Sequence, residues 1–131
     1  MTVYFEIDAL LKIALQSTLG SLGKDLKGSQ NTFLERTQDQ INGDFATSLP
    51  LKLCKQLKMS PIELARLIAS NIANTSILSK IEVAKPGFIN FFVAHDWMCL
   101  QLNNVLKNNL QYGETKTGKN KKVQIEFVSV N

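Results

Sequence analysis

Two short apolar segments, Lys80–Ala84 and Phe88–Ala94, are separated by little more than a Pro86-Gly87 pair. Proline and glycine punctuate regular structure, so the segments read as two strands joined tightly. Strands joined this closely run antiparallel, because a parallel pair needs a crossover of about a dozen residues or more. The pairing confines the chain to folds with an antiparallel sheet, and everything else must cover or extend that sheet.

The covering layer is legible in helical spacings. Ile7, Leu10, Leu11, Ala14, Leu15 and Leu19 recur at the helical period, which predicts an amphipathic helix over Val3–Leu19, broken by Gly20, Gly23 and Gly28. "NTFLERT" (Asn31–Thr37) is strand-like, and "NGDFATS" (Asn42–Ser48) follows with an Asn-Gly turn, suggesting a hairpin that passes into a helix near Leu49–Leu57. In "SPIELARLIASNI", Ser60 is placed to cap, Pro61 suits the first helical position and Glu63 completes a capping box. Leu64, Leu67, Ile68 and Ile72 then form a buried stripe. Asp96 is placed to cap a last helix with Met98, Leu102, Val105 and Leu106 inward. A polar, basic linker, Tyr112–Lys122, precedes a final strand, Val123–Asn131. The order predicts an α+β two-layer sandwich with a mainly antiparallel sheet, plus a C-terminal helix, linker and strand.

Charge narrows the choice of partners. The net charge of +4 is uneven: residues 1–50 hold four basic and six acidic side chains, residues 51–131 eleven and five. A basic second half suits contact with a polyanion, although an excess of this size also suits a plain soluble surface. Cys54 and Cys99 stand apart and His95 is the single histidine, so the pattern argues against a structural zinc site or a disulfide framework. Glu6 and Asp8 precede the first lysine, Lys12, which is wrong for a secretory signal, and no apolar run has membrane-spanning length. The expectation is a cytoplasmic protein.

Three stretches, "GDFAT" (Gly43–Thr47), "KPGFINFF" (Lys85–Phe92) and "VQIEFVSVN" (Val123–Asn131), occur in the order found in arginyl-tRNA synthetases. The chain resembles the N-terminal additional domain of that class I family, ending just before the ATP-binding "HIGH" motif. The apolar strand pattern running out at Asn131 fits a front piece of a larger protein. The resemblance implies three parts: a tRNA-recognition domain over 1–94, a connecting helix and basic linker over 95–122, and the first strand of a catalytic domain over 123–131. Lys85 stands where many members have Gly or Asn, and Val130 where Ala or Pro is common.

The resemblance implies a role at the outer corner of tRNA, at the D-loop around the variable base 20. Alternation puts Phe88 and Asn90 on one strand face and Ile89 and Phe91 on the other. An aromatic beside an amide suits an unstacked base, the ring by stacking and the amide by reading base edges. Alternation alone favours a core Phe88 and a merely edge-capping Asn90, because strand aromatics are usually buried. The family motif reverses that preference, with Lys85 as a further RNA contact. Pro86-Gly87 would let the backbone approach the RNA closely.

The resemblance further implies that Glu126, Ser129 and Asn131 line part of the L-arginine pocket, where a carboxylate accepts charge-assisted hydrogen bonds from a guanidinium or ammonium. The parent enzyme would use ATP with Mg2+ to attach L-arginine to tRNA(Arg), as a monomer, and this segment would be inactive alone. The lysines at 116, 119, 121 and 122 could follow a phosphate backbone or form a solvated hinge, and Lys52, Lys55 and Lys58 carry the same ambiguity. No phosphate loop, metal-ligand cluster or catalytic triad is present in the sequence. The rival reading is a stand-alone RNA- or protein-binding module of similar fold without catalysis.

Overall fold

The computed structural model describes residues 3–26, 31–114, 116 and 118–127. It divides into two compact units, 1–99 and 100–131. The first contains helix α1 (Val3–Ser21), strands β1 (Leu34–Arg36) and β2 (Phe45–Thr47), helices α2 (Leu49–Leu57) and α3 (Pro61–Ser70), and strands β3 (Leu78–Ala84) and β4 (Phe88–Val93). Helix α4 (His95–Asn108) begins in the first unit and continues in the second.

The four strands form one sheet in the order β1-β2-β4-β3, with every neighbouring pair antiparallel. The β3–β4 hairpin turns through Lys85–Gly87, as the Pro-Gly signal required. Ile89, Phe91 and Val93 of β4 join Phe45 of β2 and Leu34 of β1 in a core shared with Ile7, Leu11 and Leu15 of α1, Leu49, Leu53 and Leu57 of α2, and Leu64 and Ile68 of α3. Period 2 in the strands meets period 3.6 in the helices, which gives the α+β two-layer architecture.

The helices end by recognisable chemistry. After α1, Lys24 N donates to Leu19 O at 3.0 Å and Gly23 N to Gly20 O at 3.1 Å, with Gly23 at φ +59°. This is a Schellman motif, in which the left-handed residue is glycine because it has no Cβ to clash. Thr18, fully buried in α1, donates to Ala14 O at 2.8 Å and accepts from Asn71 Nδ2 at 3.0 Å, joining α1 to the end of α3. Pro61 opens α3 at its first position. Ser60 precedes it with extended backbone, but its side chain makes no capping bond, so the anticipated capping box with Glu63 does not form. Leu67 is only half-buried, and Ala65 takes a place in the buried stripe.

Two further expectations change. Helix α4 has no buried residue, and Met98, Leu102 and Leu106 are exposed rather than inward. Helical spacing identifies an apolar side but not its partner. Residues Val123–Phe127 carry no helix or strand and are exposed. A strand needs a neighbour for its backbone groups, and none is present among the described residues. Ser129, Val130 and Asn131 lie outside those residues.

The β1–β2 connection is more constrained than a two-residue hairpin. A 3-10 turn, Gln40–Asn42, is capped by Asp39, whose carboxylate accepts from Ile41 N at 3.0 Å. Gly43 follows at φ +81°, and a Cβ there would lie 2.5 Å from Phe91 O. Gly43→Ala should therefore unfold at markedly lower urea, since strained backbone alone costs about 1–3 kcal/mol before the clash is counted. Gly20→Ala, in a helical position with open space, should instead add about 0.5–1 kcal/mol.

Asp8 gives a pH-dependent check. Burial alone would raise its carboxyl, but hydrogen bonds from Lys12 and Thr32 and the Lys12 charge outweigh burial and hold it below the ordinary value of 3.8. A depressed carboxylate stabilises the fold above its unfolded pKa and loses that contribution as pH falls through the folded one. The melting temperature should thus exceed that of Asp8→Asn at pH 7, and the gap should close on acidification below 3.8.

Candidate functional site

A cleft of about 470 Å3 lies on the sheet, lined among others by Asn90, Phe88, Lys85, Ala46, Arg36 and Phe33. Its floor follows from strand register. Ala46 pairs with both Glu35 and Asn90, and Asn90 also pairs with Glu82, so Glu35, Ala46, Asn90 and Glu82 form one row across the sheet. The next row pairs Ala84 with Phe88. Cross-strand partners share a face, and this face is opposite the one on which Ile89 and Phe91 enter the core. Alternation along β4 therefore separates cleft from core, as the sequence pattern indicated.

The three tRNA-contact candidates, Phe88, Asn90 and Lys85, all line this cleft. Phe88 is 36% exposed, so it is not a core residue. Asn90 is 5% exposed. Its side-chain amide makes no hydrogen bond with any other described residue, yet no buried side-chain nitrogen or oxygen lacks both solvent and a partner. The amide must therefore touch solvent in the cleft, which is unusual for a polar group this buried. Lys85 is exposed beside the turn, and the Lys85–Pro86 peptide is cis.

Gly87 has a different role from the one anticipated. A Cβ there would meet Pro61 Cβ at 2.7 Å and Pro61 O at 3.0 Å. Within this chain, the close approach it permits is to the start of α3. The lip of the cleft is thereby seated on the helical layer.

The sequence reading did not single out Phe33 or Arg36. Phe33 is half-buried at φ +49°, and Lys52 Nζ lies 5.6 Å from its ring centroid. Arg36 lies 6.0 Å from the Phe45 ring centroid. No periodicity marks either residue, because Phe33 precedes its strand and Arg36 ends it. Glu126 is exposed in the second unit, and Ser129 and Asn131 lie outside the described residues. The His95 ring and Cys99 thiol are 3.5 Å apart on the exposed first turn of α4. No cluster of three potential metal-ligating side chains occurs among the described residues, and none of their helices is long and apolar enough to cross a membrane.

Residues 7–93 match the family described as the arginyl tRNA synthetase N terminal domain. The chain is 45% identical over 98 residues to an arginine–tRNA ligase of Dehalococcoides mccartyi, covering 75% of this chain and 18% of that protein. It is 41% identical over 103 residues to one from Bacillus cereus, covering 77% and 18%. The chain thus spans about a fifth of the length of the curated relatives it matches. The fold is similar to that in the crystal structure of arginyl-tRNA synthetase from Plasmodium falciparum, with TM-score 0.66 and 17% identity over 79% of this chain and 18% of that one. For the Thermus thermophilus arginyl-tRNA synthetase the TM-score is 0.57, with 15% identity over 76% and 15%.

The Asn90 amide reaches solvent and bonds to no other described residue, so the fold's own hydrogen bonding does not depend on it. Replacing it by an apolar side chain of similar size breaks no internal hydrogen bond and should change stability by less than about 1 kcal/mol. Asn90→Leu should therefore unfold at close to the same urea concentration as the unaltered chain. A loss above about 2 kcal/mol would show instead that the amide is part of the fold's own hydrogen bonding.

Proposed function

Because this chain belongs to the arginyl-tRNA synthetase N-terminal domain family, we propose that its cleft receives an unpaired base from the D-loop of tRNA(Arg). The observation that carries the reading is Asn90: an amide 5% exposed, lining a cleft, with no partner among the described side chains. An amide has both donors and an acceptor, which a base edge can satisfy in one plane. Phe88 beside it supplies a stacking surface, and aromatic stacking on a base is worth about 1–3 kcal/mol. Lys85 adds a cation at the lip for the adjoining phosphate.

In this reading the domain performs no bond-making step. It holds the corner of the tRNA so that binding energy there positions the distant acceptor end for transfer, a contribution of orientation. The parent is a cytoplasmic, monomeric arginine–tRNA ligase whose remaining length supplies the chemistry. ATP, with its Mg2+, and L-arginine are its small-molecule partners. Glu126, Ser129 and Asn131 contribute to the arginine pocket, so this chain alone binds arginine too weakly for calorimetry.

The test is an NMR titration of this chain with tRNA(Arg) transcripts. Phe88 and Asn90 resonances should move selectively and lose that response when the D-loop base is changed. Phe88→Ala and Asn90→Ala in the full ligase should each lower kcat/KM for tRNA by about 1–3 kcal/mol of transition-state stabilisation. Unaltered aminoacylation in both variants would refute the assignment, and indifference to RNA identity, with shifts confined to the lysines of 116–122, would favour a generic module.

A further inference from the structure

The geometry points to Phe33 as the second wall of the base site, so that the base is held between two aromatic rings rather than stacked on one. This rests on the reading of the cleft as a base receptor, and it names a residue that neither the motif nor the strand alternation identifies.

Strand register supplies the placement. Leu34 of β1 pairs with Thr47 of β2, and Thr47 pairs with Ile89 of β4. Phe33 immediately precedes β1, Ser48 immediately follows β2 and Phe88 opens β4, all at the same end of the sheet, and all three line the cleft. Phe33 and Phe88 therefore stand two strands apart with the small Ser48 between them. Strands are spaced about 4.8 Å, which puts the backbones of their neighbours Leu34 and Ile89 about 9.6 Å apart. A flat base between two rings needs two stacking gaps of about 3.4 Å each, or roughly 7 Å. The remaining difference is within the lean of an aromatic side chain about its first two torsions. A larger residue at 48 would fill the slot.

The backbone of Phe33 supports a built position. A bulky aromatic at φ +49° is an outlier, because its Cβ crowds the neighbouring carbonyl. Such conformations persist when surrounding contacts over-determine them, and they cluster at ligand clamps. The contacts are present here. Phe33 N donates to the Asn31 side chain at 2.8 Å. The preceding residue, Thr32, is buried, donates its hydroxyl to Asp8 and accepts through its carbonyl from the Thr47 hydroxyl. Lys52 Nζ, 5.6 Å from the ring centroid, covers one face of Phe33. Part of the ring packs against the core and part lines the cleft, and that cleft-side part is what a base would meet; the nearby ammonium adds a cation for the phosphate of the same nucleotide.

The experiment uses this chain and an RNA stem-loop copying the D-arm of tRNA(Arg), with 2-aminopurine at the variable position. Stacking on both sides quenches the fluorophore strongly. Phe33→Leu should weaken binding roughly tenfold and restore much of the emission in the saturated complex, with Phe33→Tyr keeping both affinity and quench. Melting temperatures of both variants guard against a folding defect, and Phe33→Tyr retains the ring if the leucine variant melts early. If Phe33→Leu binds and quenches as the unaltered chain does while Phe88→Leu and Asn90→Ala bind weakly, the second wall is refuted and the base receptor stands. If none of these variants alters binding, both readings fall.

Discussion

The attachment of Gly43-Asp44 to β4 is the constraint on which the rest of this domain depends. Asp44 N donates to Phe91 O at 2.8 Å, and Val93 N donates to the Asp44 carboxylate at 2.7 Å. Gly43 passes so close to Phe91 O that no side chain fits. The Thr37 hydroxyl donates to Gly43 O, which closes the loop on itself. Together these contacts set where β2 starts along β4. Ala46 then faces Asn90, while Phe45 and Thr47 turn into the core. A slip by one residue would exchange the faces, placing Ala46 among the helices and Phe45 in the cleft. The "GDFAT" stretch is thus a register device, and its bond to the cleft is indirect.

The floor of that cleft is electrostatically mixed. Glu35 and Asp39 line it together with Asn90, Lys85 and Arg36, and Lys52 lies beside Phe33. A site built for phosphate alone would exclude carboxylates from its centre. On the proposed reading the amide and ring would meet a flat, polar-edged base and the nearby cations its backbone charge, with the carboxylates facing no phosphate.

What the sequence revealed and what it concealed divide along a physical line. Features encoded by one residue's own chemistry were legible: the Pro-Gly hairpin, the bounds of α2, Pro61 at the start of α3, and the alternation that parts Phe88 and Asn90 from Ile89 and Phe91. Features that depend on a distant partner were not. Gly87 reads as a turn residue, and only the packing shows that it exists to clear Pro61. Ser60 and Glu63 have the spacing of a capping box, but no side-chain bond follows from spacing. The apolar side of α4 is real as a pattern, and the helix leaves it exposed. Phe33 carries no periodic mark at all, because its place is set by left-handed backbone and by Thr32, Asp8 and Thr47 around it. Glu126 is legible only by resemblance.

The seating of Gly87 on Pro61 has a kinetic side. The β3–β4 turn rests directly on the first turn of α3, so it has no room to move further toward the helical layer. On the reading proposed above, a lip braced on one side offers much the same shape to every arriving RNA. Encounter rates for right and wrong RNAs would then be set mainly by charge and orientation and differ little. Discrimination would fall to dissociation, with the identity of the base governing how long a tRNA stays more than how often one arrives.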